Sequence, residues 1–305
     1  MQAKHIDPQV EYLAEELFRS KNFASAEAAF HLLCNSFPNY AEGYNYLGLI
    51  YLKRSLPMEA VASFRKAVEV GRKLFPKRLA KSQYWLDLRT RPYIRGLSNL
   101  CLSLIRAGLY EEALDCCDLL EKECQETARA SYYRSCIYLN LREWQCAEIA
   151  AVANSEALEH VLIAFAQFEQ GKFQTARVNF IYALSNHPFA VLELMAERGL
   201  QRSSFFEEED FEQGRESALN IAHYLARHSR KSRDFFKKIM ANPVIRHHLD
   251  NLITCSRNHF KHDDGLAHKD NFTLWKTLKS YDHACKIAAS SFRQAEVPDS
   301  QVQQV

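Results

Sequence analysis

The chain has 305 residues, 47% of them hydrophobic and 25% charged, a balance that excludes an intrinsically disordered protein. A net charge of +2 gives no global pull toward nucleic acid or anionic membrane, so any electrostatic preference must be local. Nine glycines and eight prolines are too few to punctuate many strands, which favours long helices with short connections.

At the N-terminus, Lys4, Asp7, Glu11, Glu15 and Glu16 interrupt any apolar core of secretory type. No stretch reaches the roughly 20 apolar residues a membrane helix needs. A soluble, cytoplasmic protein is expected, and with it reduced cysteines. There are nine of these, an odd number without a CxxC pair, most on apolar helix faces.

Along the chain a period emerges. Leu13 and Leu47, Ala26 and Ala60, and Phe30 and Phe64 are each 34 residues apart, as are Ala113 and Ala147. Segment 7–38 carries Leu17, Leu33 and Pro38 around these positions. Segment 41–70 carries Tyr44, Leu47-Gly48, Tyr51 and Ala67. Segment 94–121 carries Leu97, Leu100, Leu104, then Tyr110-Glu111-Glu112-Ala113, Cys117 and Leu120. Segment 128–154 keeps Tyr138, Trp144 and Ala147 but has Arg134 where a leucine is expected. Segment 155–188 keeps Ala164, Phe173, Ala176, Phe180, Ala183 and Pro188.

These residues resemble the tetratricopeptide repeat family: Leu-Gly and Tyr on a first helix, then Ala, a large aromatic, Ala and a closing Pro on a second. The resemblance implies an all-α fold of helical hairpins. Each is too apolar to stand alone, so they stack into a superhelix (a solenoid) with one curved wall open to a ligand. Five such units are expected over 1–190, with turns at Arg106–Leu109 and Gln170–Lys172.

From Ala60 to Ala113 there are 53 residues, one period and 19 more. The extra material lies near 72–93. The second unit's last helix is expected to run long, to break at Pro76 and to be followed by a short helix or ordered loop up to Pro92. The region is basic: Arg65, Lys66, Arg72, Lys73, Lys77, Arg78, Lys81, Arg89, Arg91 and Arg95 have only Glu69 and Asp87 as acidic sequence neighbours. The turn Arg89-Thr90-Arg91-Pro92-Tyr93 and its surroundings over 80–240 resemble bacterial tetratricopeptide proteins related to the suppressor-of-tumorigenicity-seven family. That resemblance implies a non-catalytic interaction module.

Beyond 190 the period fades. Glu207-Glu208-Glu209-Asp210 reads as a linker or helix start. Helices are expected near 213–229, 231–240, 243–260 and 271–293, forming a C-terminal helical extension over 191–293 that caps the array. A loose tail follows over 294–305.

By the repeat register, the first helices offer Glu11, Tyr12 and Glu15; Asn45, Tyr46 and Leu49; Arg95, Asn99, Leu102 and Arg106; Arg129, Tyr132 and Tyr133; and Val161, Leu162 and Phe165 to the curved wall. Each alone is an ordinary helix residue. As a group, asparagine, arginine and tyrosine suit the backbone and acidic side chains of a peptide. The chaperone-tail type of groove is excluded, because Glu11 and Glu15 would repel a terminal carboxylate. The expected role is a scaffold or adaptor that binds a partner protein or peptide. The alternative is RNA or another polyanion held by Arg72, Lys73, Lys77, Arg78, Arg89 and Arg91, with Phe75, Tyr84, Trp85 and Tyr93 as stacking platforms. His247, His248, His259, His262 and His268, near Asp263 and Asp264, read as surface residues rather than metal ligands. No nucleophile elbow, phosphate loop, zinc-protease or dinucleotide fingerprint occurs, so neither an enzyme nor a cofactor is expected.

Overall fold

A computed structural model describes residues 6–153, 156–197, 201–227, 230–259 and 265–291. They are helical throughout, without a strand. The first helices are α1 (Pro8–Arg19), α2 (Phe23–Ser36), α3 (Ala41–Lys53), α4 (Pro57–Lys73), α5 (Arg91–Ala107), α6 (Tyr110–Lys122), α7 (Thr127–Leu141) and α8 (Trp144–Val152). Then come α9 (His160–Glu169), α10 (Phe173–Asn186), α11 (Pro188–Leu194), α12 (Phe205–Asn220), α13 (Ala222–Ala226), α14 (Arg230–Ala241), α15 (Pro243–His259), α16 (Gly265–Leu278) and α17 (Tyr281–Ser291). Contacts divide the chain into two units, with the boundary inside α7 between Ile137 and Tyr138.

One turn recurs. Lys21, Ser55, Gly108, Arg142 and Gly171 each take a positive φ between 60° and 78° just after the first helix of a pair. In each case the next residue's N–H reaches back to a carbonyl in the last turn: Asn22 to Leu17, Leu56 to Tyr51, Leu109 to Leu104, Glu143 to Tyr138 and Lys172 to Gln167, all at 2.9 Å. This left-handed cap satisfies carbonyls the helix leaves open and reverses the chain. The second helix starts at once, and its buried alanine (Ala26, Ala60, Ala113, Ala147 or Ala176) closes the first turn. Four residues later Phe30, Phe64, Cys117, Ala151 and Phe180 are fully buried.

The corresponding position on each first helix carries a small, buried residue: Ala14, Gly48, Cys101, Ser135 and Ala164. At Gly48 the need is steric, since a Cβ there would lie 2.5 Å from the Phe64 ring. Cys101 and Cys117 make the equivalent contact, with Sγ atoms 3.5 Å apart. Leu13 and Phe173, by contrast, hold repeat positions by spacing yet are 61% and 49% exposed. Leu47 is buried against the hairpin before it, whereas Leu13 has no described hairpin on that side.

The first unit's insertion is ordered. At 17 residues α4 is longer than α2, with 14, and it stops ahead of Pro76. A single 3-10 turn, Lys81–Gln83, lies within the loop that follows. Buried Thr90 sets its hydroxyl against the carbonyls of Tyr84 and Asp87, and the Arg91 Nε donates to the Trp85 carbonyl at 2.9 Å. The loop is thereby fastened to the start of α5.

In the second unit the C-terminal helices cover the hairpin formed by α9 and α10. Phe236 of α14 packs against Phe165 and Phe180, at ring distances of 5.1 and 4.7 Å. Gly214 of α12 touches α11 so closely that a Cβ would meet the Ala190 backbone. The single helix expected over 271–293 is two: α16 ends at Leu278, and the Ser280 hydroxyl accepts from His283 N to cap α17. The acidic run 207–210 belongs to the first turns of α12, which begins at Phe205 rather than near 213. The expected tail over 294–305 lies outside the described residues.

Candidate functional site

In the first unit the first helices of successive hairpins touch one another. Phe18 of α1 meets Tyr46 of α3 edge-on at 5.4 Å, and Tyr40, just before α3, donates to Glu11 at 2.6 Å. Arg95 of α5 pairs with Glu42 of α3 at 2.8 Å. The hydroxyls of Ser98 (α5) and Tyr133 (α7) are 3.0 Å apart, and Arg129 donates to Ser98 at 3.3 Å. The first-unit residues proposed for the curved wall therefore sit on helices that contact one another in turn.

Tyr12 is 56% exposed, and Arg95 and Arg129 are exposed too; Tyr46, Leu49, Asn99, Leu102, Arg106 and Tyr132 are half-buried. Tyr46 stacks on Phe30 at 4.6 Å, and burial beside Glu15 pushes its phenol up to about 12. It is neutral at ordinary pH, and its hydroxyl is hydrogen-bonded to the Glu15 carboxylate. The Asn99 side chain makes no hydrogen bond among the described residues, which leaves a donor and an acceptor for a ligand.

Five expected wall residues are not available. Asn45 is 2% exposed, and its amide donates to the Pro92 carbonyl at 2.9 Å and to Glu42 at 3.2 Å. It ties α3 to the start of α5. Tyr133 is 7% exposed and points into the contact with Ser98; burial raises its phenol pKa. In the second unit Val161, Leu162 and Phe165 are all core. The sequence reading also passed over Glu42, which holds Arg95. Its place three residues before Asn45, on one helix face, was the available signal.

The basic segment is largely compensated, locally by Glu69 and Asp87 and from a distance in sequence by Glu112 and Glu123. Arg65 pairs with Glu112 at 2.5 Å, Arg72 with Glu123, Lys66 and Lys73 with Glu69, and Arg89 with Asp87 at 2.6 Å. Lys77 and Arg78 are exposed without such a partner among the described residues. The proposed stacking platforms are engaged as well. Phe75 meets Tyr84 at 4.9 Å and Tyr93 at 5.0 Å, both tyrosines are buried, and the Trp85 indole donates to Glu126.

His248 is a core residue, not a surface one. It is 4% exposed, hydrogen-bonded to the Ser185 hydroxyl at 2.8 Å and beside His283. Burial pulls its pKa down to about 4, so the ring is neutral. The Ser185 hydroxyl lies equally close, at 2.8 Å, to the Ile181 carbonyl, so it bridges the His248 ring and its own helix backbone. His247 is exposed; the side chains of His259, His262, His268, Asp263 and Asp264 lie outside the described residues. Among the described residues no three potential metal ligands converge. All nine cysteines are free thiols, and burial pushes Cys34, Cys116 and Cys124 up to about 12, which makes them unreactive. Among the described residues no helix is long and apolar enough to cross a membrane.

No protein-family model matches the chain, and no curated protein matches it either.

Proposed function

We propose that the chain is a tetratricopeptide-type superhelix working as a non-enzymatic scaffold that binds a partner protein or peptide on the first helices of its N-terminal hairpins. The observation that carries this reading is the row Tyr12, Tyr46, Leu49, Arg95, Asn99, Arg129 and Tyr132. Its side chains reach the surface on helices fixed to one another, and they are buttressed from below by Phe18, Phe30 and Ser98. Aromatic anchors and arginine at a rigid surface are what a protein interface uses most. The recurring left-handed turns support the repeat assignment.

The charges suggest a ligand orientation. Glu11, Glu15 and Glu16 outnumber Arg19 on α1, while Arg95, Arg106 and Arg129 line α5 and α7, Arg95 and Arg129 being shared with Glu42 and Glu126. A peptide with acidic side chains toward α5 and α7 fits this pattern. The polyanion alternative loses support from the pairing of Arg65, Lys66, Arg72, Lys73 and Arg89 with carboxylates.

The test is affinity capture from native lysate with the wild type beside N99A/R129E. Both should show the same helical signal and melting temperature, and the variant should lose the partners the wild type retains. Retention of the same partners by the variant overturns the assignment.

A further inference from the structure

The second unit contains a cavity of about 490 Å³ between the α10–α11 turn, the first turns of α12, and helices α15 and α16. That size suits a small organic ligand. Its walls are mainly apolar and include Phe189, Phe206, Leu252, Ile253 and Trp275.

Most charges on these walls are already engaged. Glu207 is held by Arg257, Nε to Oε1 at 2.8 Å, and by Ser203. Asp210 accepts from His187 at 2.8 Å and from the backbone N–H groups of Phe189 and Ala190 at 2.9 and 3.2 Å. Glu209 has no ion pair but is exposed to solvent. Lys279 differs: half-buried, it has no ion-pair partner among the described residues. Its ammonium lies 4.3 Å from the centre of the Trp275 ring. Asp210 is near enough to favour the ammonium without pairing with it, and desolvation lowers the Lys279 pKa. A partly desolvated cation held by a ring face and a nearby carboxylate, but by no ion pair, is a cost that an anionic ligand would offset.

We propose that this cavity binds a small organic monocarboxylate, its apolar body against Phe189, Leu252, Ile253 and Trp275 and its carboxylate paired with Lys279. Lys279, unlike Arg257, has no ion pair among the described residues and suits a single carboxylate; Asp210 and Glu209 close by disfavour a phosphate, which carries more negative charge and needs several donors. A cationic ligand would find Asp210 and Glu207 already saturated. The site is independent of the proposed partner-binding row.

The test is calorimetric titration of the full-length chain with 1-naphthaleneacetate and its neutral amide, 1-naphthaleneacetamide. The acid should bind at least tenfold more tightly than the amide. Lys279→Met should abolish that preference while keeping amide affinity, and Lys279→Arg should preserve it. Ser256→Trp, which fills the cavity from α15, should remove both, with melting curves confirming that each variant is folded. Equal affinity for acid and amide, acid binding unchanged in Lys279→Met or surviving in Ser256→Trp, or no acid binding at millimolar concentration would each overturn the proposal.

Discussion

Gly48 and Glu159 show how single residues set local limits. A helical glycine is normally about 1 kcal/mol worse than alanine. At Gly48, however, a Cβ would strike the fully buried Phe64 ring at 2.5 Å. Overpacking costs typically ~1–3 kcal/mol, so Gly48→Ala should destabilise by about 1–2 kcal/mol in urea unfolding. Glu159 is 9% exposed, its Oε2 has no partner, and burial, with Glu156 nearby, pushes its carboxyl up to about 8. An acid whose pKa is higher folded than unfolded favours the fold fully below its unfolded value. That contribution disappears as pH rises toward 8. The melting temperature of Glu159→Gln relative to wild type should therefore increase between pH 5 and 8. A difference independent of pH would contradict this.

Helical hairpins were the most legible elements because their signal is short-range and repeated. Ala26, Ala60, Ala113, Ala147 and Ala176 mark the five second helices in the sequence, and all five are buried. The left-handed turn was visible only where glycine filled it, at Gly108 and Gly171; Lys21, Ser55 and Arg142 take the same conformation without announcing it. Relief of that backbone cost by Ser55→Gly should stabilise by roughly 0.5–1 kcal/mol, measured by the urea midpoint. Arg134 was read as a fault in the fourth unit. It is half-buried and reaches Asp118 at 2.8 Å and Glu121 at 2.7 Å, a contact that composition alone does not reveal. Those carboxylates are themselves partly exposed, so Arg134→Leu should alter stability by no more than about 1 kcal/mol. The α16–α17 break was missed because it rests on one serine cap, and the apolar pattern continues across it.

For the molecule, charge is the quantity a sequence reading handles worst. The ten basic residues of 65–95 form a run in sequence, but Glu42, Glu112 and Glu123 reach them from other helices. Binding to single-stranded RNA should consequently be weak at physiological salt, with a shallow salt slope by fluorescence anisotropy. Asn45 and Tyr133 were misplaced for a related reason: helical periodicity gives the face but not which residues a neighbouring helix covers. Exposed Tyr12, Arg95 and Arg129 and half-buried Asn99 remain after that correction, and the proposed role depends on them. A photo-crosslinking amino acid at Asn99 or Tyr132, set against Ala62 or Leu119 on second helices, addresses that role in native lysate. Partner adducts from positions 99 and 132 but not from 62 and 119 are the predicted result; adducts equal at all four, or confined to the second helices, would contradict the assignment of the binding surface.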